Sequence, residues 1–246
     1  DPPAAPSDQC GGNVCSASCL CPATHYQCYE AHAPVRSIAT VSLTDVFGPS
    51  TASVVEARRL CNPANKNGED PNALAQADHL VGYRIKQSPP FRRVRGVVVT
   101  SQLGTQVVNV TKPDYLLVPS AKSRTEVPPP LETPTIDHYK CYKVKVTPGT
   151  PKLPKGTTVS VGDQFNSPPK VFELKKPKHL CNPVDKNGEG ITNAAAHMLC
   201  YTAKGTHGQP KHVRRTGVHI NNQFATAVLG TTKESELCIP SIKTLP

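Results

Sequence analysis

Apolar and polar residues alternate along much of this chain. In "YKVKV" the residues Tyr142, Val144 and Val146 fall on one side and Lys143 and Lys145 on the other, the two-residue period of a half-buried strand. Val159 and Val161 repeat the pattern, as do Val218 and Ile220. Pro, Gly and Asn separate these runs, so the pattern predicts antiparallel strands joined by turns. Helical spacing is confined to "NALAQADH" and "ITNAAAH", each predicting a turn or two of helix.

The same landmarks occur twice, in the same order. "HYQCYE" (25–30) matches "HYKCYK" (138–143), and "TVSLTDVF" (40–47) matches "TVSVGDQF" (158–165). "LCNPANKNGED" (60–70) and "LCNPVDKNGEG" (180–190) agree at eight of eleven positions. "HLVGY" (79–83) then matches "HMLCY" (197–201), "GVVVTSQL" (96–103) matches "GVHINNQF" (217–224), and "LLVPSAK" (116–122) matches "LCIPSIK" (237–243). A tandem repeat of about 100 residues per copy follows. The expected fold is all-β: two disulfide-bonded antiparallel sandwich or barrel domains, 24–123 and 137–246, after a Cys-rich arm at 1–23. A Pro-rich linker at 124–136 is expected to be extended and semi-rigid.

Ten cysteines, with neither a pair of metal-type C-x-x-C motifs nor C-x-x-C-H, predict disulfides formed in an oxidising compartment. Copy two has Cys141, Cys181, Cys200 and Cys238; copy one has Cys28 and Cys61 but Gly82 and Leu117 in place of the other two. Cysteines missing together are read as bonded together. The expected bridges are Cys28 to Cys61, Cys141 to Cys181 and Cys200 to Cys238, leaving Cys10, Cys15, Cys19 and Cys21 to pair within the arm. The opening "DPPAAPSDQC" reads as a chain whose signal peptide has been removed, and no apolar run reaches the roughly 18 residues of a membrane span. Secretion is therefore expected, to the extracellular space or cell surface.

Net charge +10 and a pI near 9.2 predict attraction to anionic polymers or surfaces. Arg92, Arg93, Arg95, Lys211, Arg214 and Arg215 are the candidate anion-binding residues. Their clusters lack interleaved aromatics, so a nucleic-acid partner is not expected. In the repeated "KNGE", Asn-Gly marks a tight turn. Asp185, Asn187 and Glu189 also place oxygens at calcium-loop spacing, but no terminal bidentate Glu follows, so a scaffold turn is the preferred reading. His25 and His138, like His79 and His197, recur without metal-ligand spacing, so neither metal nor cofactor is expected. No G-x-S-x-G occurs and every Cys is assigned to a bridge, so catalysis is not expected. "NVT" at 109–111 is a glycosylation sequon.

The set "HYKCYK", "LCNPVDKNGEG", "HMLCY" and "LCIPSIK" resembles a family of secreted bacterial domains of unknown function that often occur in tandem. The resemblance implies export and a bacterial source, and no assigned activity. The expected function is a non-enzymatic structural subunit of an extracellular fibre or filament. Its subunits would join head to tail as the Pro-containing arm of one docks on the next, either adding to a sheet edge or laying its disulfide knot into the junction. The alternative is a secreted binding module for an anionic polymer or cell-surface component.

Overall fold

The computed structural model describes residues 24–33 and 36–246, and the arm at 1–23 lies outside them. Alternation becomes strand throughout. Copy one supplies β1 (His25–His32), β2 (Arg36–Asp45), β3 (Gly48–Lys66), β4 (His79–Ser88), β5 (Val94–Ser101) and β6 (Gly104–Ser123). Copy two supplies β7 (Tyr139–Val146), β8 (Thr158–Asp163), β9 (Asn166–Pro183), β10 (Asp185–Lys186), β11 (His197–Gly205), β12 (Arg215–Asn221) and β13 (Thr226–Thr244). Of the two helical stretches expected, the first is a single 3-10 turn, Ala73–Ala75, and the second is turn and bend.

The two expected domains are one. Following the antiparallel pairings, β1 meets β3, β3 meets β4, β4 meets β6, and β6 meets β7 of the other copy. The path continues through β9 and β11 to β13, which pairs back onto β1. Eight strands, four from each copy, thus close a barrel. One copy alone would be an open half-barrel with two unpaired edges, and a second half of the same shape covers both. The segment at 124–136 is accordingly the connection between adjacent strands β6 and β7. It is tied down: Thr135 donates its backbone N–H to Asp78 Oδ2 at 2.8 Å, and Asn221 Nδ2 donates to the Pro128 carbonyl at 3.1 Å.

The long strands run past the barrel into hairpin arms, and each arm docks its tip on the other copy. Residues 161–163 of β8 pair with 64–66 of β3, and 43–44 of β2 pair with β10. Residues 98–101 of β5 pair with 241–244 of β13, and 219–221 of β12 pair with 121–123 of β6. Two apolar lobes result, each mixed in origin. The first packs Tyr29, Leu43, Leu60 and Tyr83 against Phe165, Val218, Ile220 and Leu229 of copy two. The second packs Tyr142, Phe172, Leu180 and Tyr201 against Ala64, Val97, Val99 and Val108 of copy one.

Between the lobes, the barrel interior holds a belt of facing pairs. Cys28 faces Cys61, Cys141 faces Cys181, and Cys200 faces Cys238; all three pairs are disulfides, as the paired absence predicts. In the fourth pair Gly82 faces Leu117. A Cβ on Gly82 would lie 2.6 Å from Arg59 Cβ and 3.0 Å from Leu117 Cδ2. Leu117 and Arg59 therefore fill the room that a fourth bridge would take.

Candidate functional site

The repeated motif "LCNPxxKNGE" works across the copies. Asp45, in the β2–β3 turn of copy one, receives hydrogen bonds at Oδ2 from Tyr142 Oη (2.9 Å) and Asn182 Nδ2 (3.1 Å) of copy two. Asp163, in the β8–β9 turn of copy two, receives them at Oδ2 from Tyr29 Oη (2.8 Å) and Asn62 Nδ2 (3.0 Å) of copy one. The other oxygen of each aspartate accepts backbone N–H groups of its own turn: Phe47 for Asp45, Phe165 and Asn166 for Asp163. The turn thus fixes the carboxyl before the partner copy engages it. Each clamp also holds a lysine from the "PSxK" motif. Lys243 Nζ donates to Asn182 Oδ1 at 3.1 Å and sits 5.2 Å from the centre of the Phe47 ring. Lys122 Nζ, 4.5 Å from the Phe165 ring, donates to Gln164 Oε1 at 2.6 Å. Burial pushes the Lys243 ammonium down to about 8 against the pull of Asp45, and pushes Lys122 down to about 7 against Asp163.

A second polar cluster closes one end of the belt. Arg59 Nη2 pairs with Glu236 Oε1 at 2.6 Å, and Glu236 Oε2 meets His179 Nδ1 at 2.6 Å. His179 Nε2 meets Asp114 Oδ2 at 3.1 Å, and Asp114 Oδ1 meets Lys143 Nζ at 3.3 Å. Burial favours neutral His179, but Glu236 and Asp114 on its two nitrogens outweigh it, so its pKa is raised. Burial likewise favours protonated Glu236, but His179 and Arg59 bring it down to about 2. Opposite charges therefore alternate from the half-exposed Lys143 inward to the buried Arg59, beside a cavity of about 20 Å³ lined by the three disulfides. None of these residues recurs: Arg59 corresponds to His179, Tyr115 to Glu236, and Asp114 to Ser235. Divergence between the copies is the sequence signal that marks them.

The calcium-spaced oxygens are directed elsewhere. Asp185 Oδ1 accepts the Gly190 N–H, and Asn187 Oδ1 accepts the Ser42 N–H of copy one at 2.9 Å. Glu189 meets Lys186 through Oε1 and His138 Nε2 through Oε2 at 3.0 Å. Asn67 mirrors Asn187 by accepting the Ser160 N–H at 2.9 Å. The turn is a clasp between the copies. Among the described residues no group of three His, Cys, Asp or Glu side chains is placed to hold a metal ion. His25 and His197 are enclosed, and burial pushes them down to about 4 and about 3. Of the anion-binding candidates, Arg92, Arg93, Arg95, Lys211 and Arg214 are exposed. Arg215 instead donates to the Phe165 carbonyl at 3.2 Å and lies over its ring. The two clusters belong to different lobes and do not converge; Arg93 and Arg95 border an open recess with Asn109 and Thr147.

A family model described as a repeat of unknown function (DUF7450) matches residues 79–240, from the start of β4 into β13. No curated protein and no solved structure matches the chain.

Proposed function

Starting from a chain that belongs to this family of repeats of unknown function, we propose a non-enzymatic structural subunit of an extracellular assembly. The observation that carries the reading is the interlocked barrel. Each copy completes the other's sheet, core and clamps, and three disulfides bind the interior. Such a block resists local opening, because most of its strand edges are already paired. The bridges also suit an oxidising compartment, and no described helix is long and apolar enough to cross a membrane. The outer halves of the arm strands are where a neighbour's chain can add: 36–41 of β2 pair on one side only, with β3, among the described residues. Head-to-tail joining through the arm at 1–23 would make an open or ring assembly.

Light scattering and negative-stain microscopy of the full chain and of 24–246 test this. The full chain should give high-mass particles and the shortened chain a monomer. A monodisperse full-length monomer at high concentration would remove the reading. The binding-module alternative draws on the open recess of about 460 Å³ beside Arg93 and Arg95. It takes precedence if the monomer binds an acidic polysaccharide and Arg93→Gln/Arg95→Gln weakens that binding more than Lys211→Gln/Arg214→Gln.

A further inference from the structure

The two clamps contain more than a scaffold needs. Each sets a half-buried lysine near an aspartate that is bonded to a fully buried asparagine amide, with a phenylalanine ring near the amine. The set is the same in both: Lys243, Asn182, Asp45, Tyr142 and Phe47 in one, and Lys122, Asn62, Asp163, Tyr29 and Phe165 in the other. At the ion chain, by contrast, the copies differ, as Arg59 and His179 do. Retention of all five residue types marks the set as a unit.

Lys243 Nζ donates to Asn182 Oδ1 at 3.1 Å. A carbonyl bond is about 1.23 Å long, so the amine nitrogen lies within about 4.3 Å of the Asn182 carbonyl carbon. A reactive geometry holds such atoms about 3–3.5 Å apart, so an approach of up to about 1 Å remains. Asp45 Oδ2 accepts from Asn182 Nδ2 at 3.1 Å. The carboxylate thus already holds the nitrogen that would leave.

We propose that Lys243 and Asn182 join through a covalent side-chain amide, formed by the folded protein on itself. Lys243 first gives one proton to solvent and becomes a neutral amine. Its Nζ lone pair forms a bond to Asn182 Cγ, and the carbonyl π pair moves to Oδ1. Asp45 then carries a proton from Nζ to Nδ2. The oxygen pair re-forms the carbonyl, the Cγ–Nδ2 bond breaks, and ammonia departs. The products are one secondary amide and one ammonia, with no change of oxidation state and no added reactant. Burial supports the first step by lowering the ammonium's pKa to about 8. In the twin clamp Lys122 donates to Gln164, and Asn62 Oδ1 is buried without a donor, so the contact made by Lys243 is not made there.

The bond would tie β13 to β9 across β11. With the bridges Cys141–Cys181 and Cys200–Cys238 it would leave the four barrel strands of copy two covalently continuous. The inference stands on the clamp and holds whether or not subunits assemble.

Intact-mass measurement on the purified full chain, with bridges oxidised and then reduced, tests it. The expected mass lies below the sequence mass by one ammonia beyond the bridge hydrogens, or by two if the twin also closes. Proteolysis should release a branched peptide joining Lys243 to Asn182. Lys243→Arg, which keeps the charge but cannot form the bond, should restore that ammonia in a protein that still folds. Asp45→Asn should leave the amide unformed where circular dichroism shows native strand content. The proposal is overturned if the folded chain has its full sequence mass less bridge hydrogens. A branched peptide through Lys140, whose Nζ donates to Ser50 Oγ at 2.8 Å, would overturn it equally.

Discussion

Asn187 and Asn67 hold left-handed backbones, φ 58° and 54°, each followed by a glycine at 82°. That is the geometry that Asn-Gly supplies at low cost. The side chain has a second task, accepting an N–H from the other copy. Asn187→Ala loses both and should cost about 2 kcal/mol, whereas Asn187→Gly keeps the turn and should cost about half as much. Denaturant titration of the two variants separates the effects. At Gly82 the constraint is space: Gly82→Ala forces Arg59 or Leu117 to move and should cost about 1–3 kcal/mol. Titratable residues set the acid limit. His25 and His197 have folded values of about 4 and 3 against 6.5, so the folded state binds fewer protons than the unfolded chain. Their contribution is complete above pH 6.5 and is lost as pH falls toward those folded values. Glu236, lowered from 4.5 to about 2, adds a loss across that lower range. His179, raised, contributes below 6.5 and loses that contribution as pH rises through its folded value. The thermal midpoint should therefore fall from pH 6.5 downward and more steeply below 4.5. His197→Asn should flatten the first part of that fall.

At the scale of elements, crossed contacts replace ordinary hairpin packing. Asp45 belongs to one copy, Tyr142 and Asn182 to the other. A double-mutant cycle of Asp45→Ala with Tyr142→Phe should therefore give a coupling energy of about 1–3 kcal/mol between residues 97 apart in sequence. The strands themselves were legible: Val144, Val159, Val161, Val218 and Ile220 are buried where alternation puts them. The bridges were legible because loss of Gly82's and Leu117's cysteines removed one bond and left its neighbours unchanged. Partner choice was not. "HYQCYE" and "HYKCYK" carry the same pattern, so β1 is as well suited to pair with β13 as with a strand of its own copy. Nothing in the sequence marks Asp45 and Asp163 as acceptors across the copies, because a carboxyl that caps its own turn has the same sequence as one that also binds across the molecule. The ion chain was hidden for another reason: Asp114, His179 and Glu236 approach only when β6, β9 and β13 curl around one axis.

At the scale of the whole molecule, no disulfide among the described residues joins the copies: one bridge lies in copy one and two lie in copy two. The union rests on six strand pairings around the belt and arms, two mixed cores and the clamps. Cutting the linker at a protease site placed near Pro129 should leave the halves associated and eluting as one species without denaturant. Residues 24–123 made alone should not form a folded monomer; sedimentation should find a dimer or an unfolded chain. A stable folded monomer of that half would contradict the shared barrel.

The disulfide belt also makes the molecule a clock. All six half-cystines are at most 3% exposed, so a thiolate in solvent reaches sulfur only during excursions that part the barrel wall. Reduction should accelerate with reductant concentration and then level off at a ceiling equal to the opening frequency. Below the ceiling, the rate reports instead the fraction of molecules that stand open. The lifetime of the bridges under reducing conditions would then depend on the opening of the barrel more than on the redox potential around them.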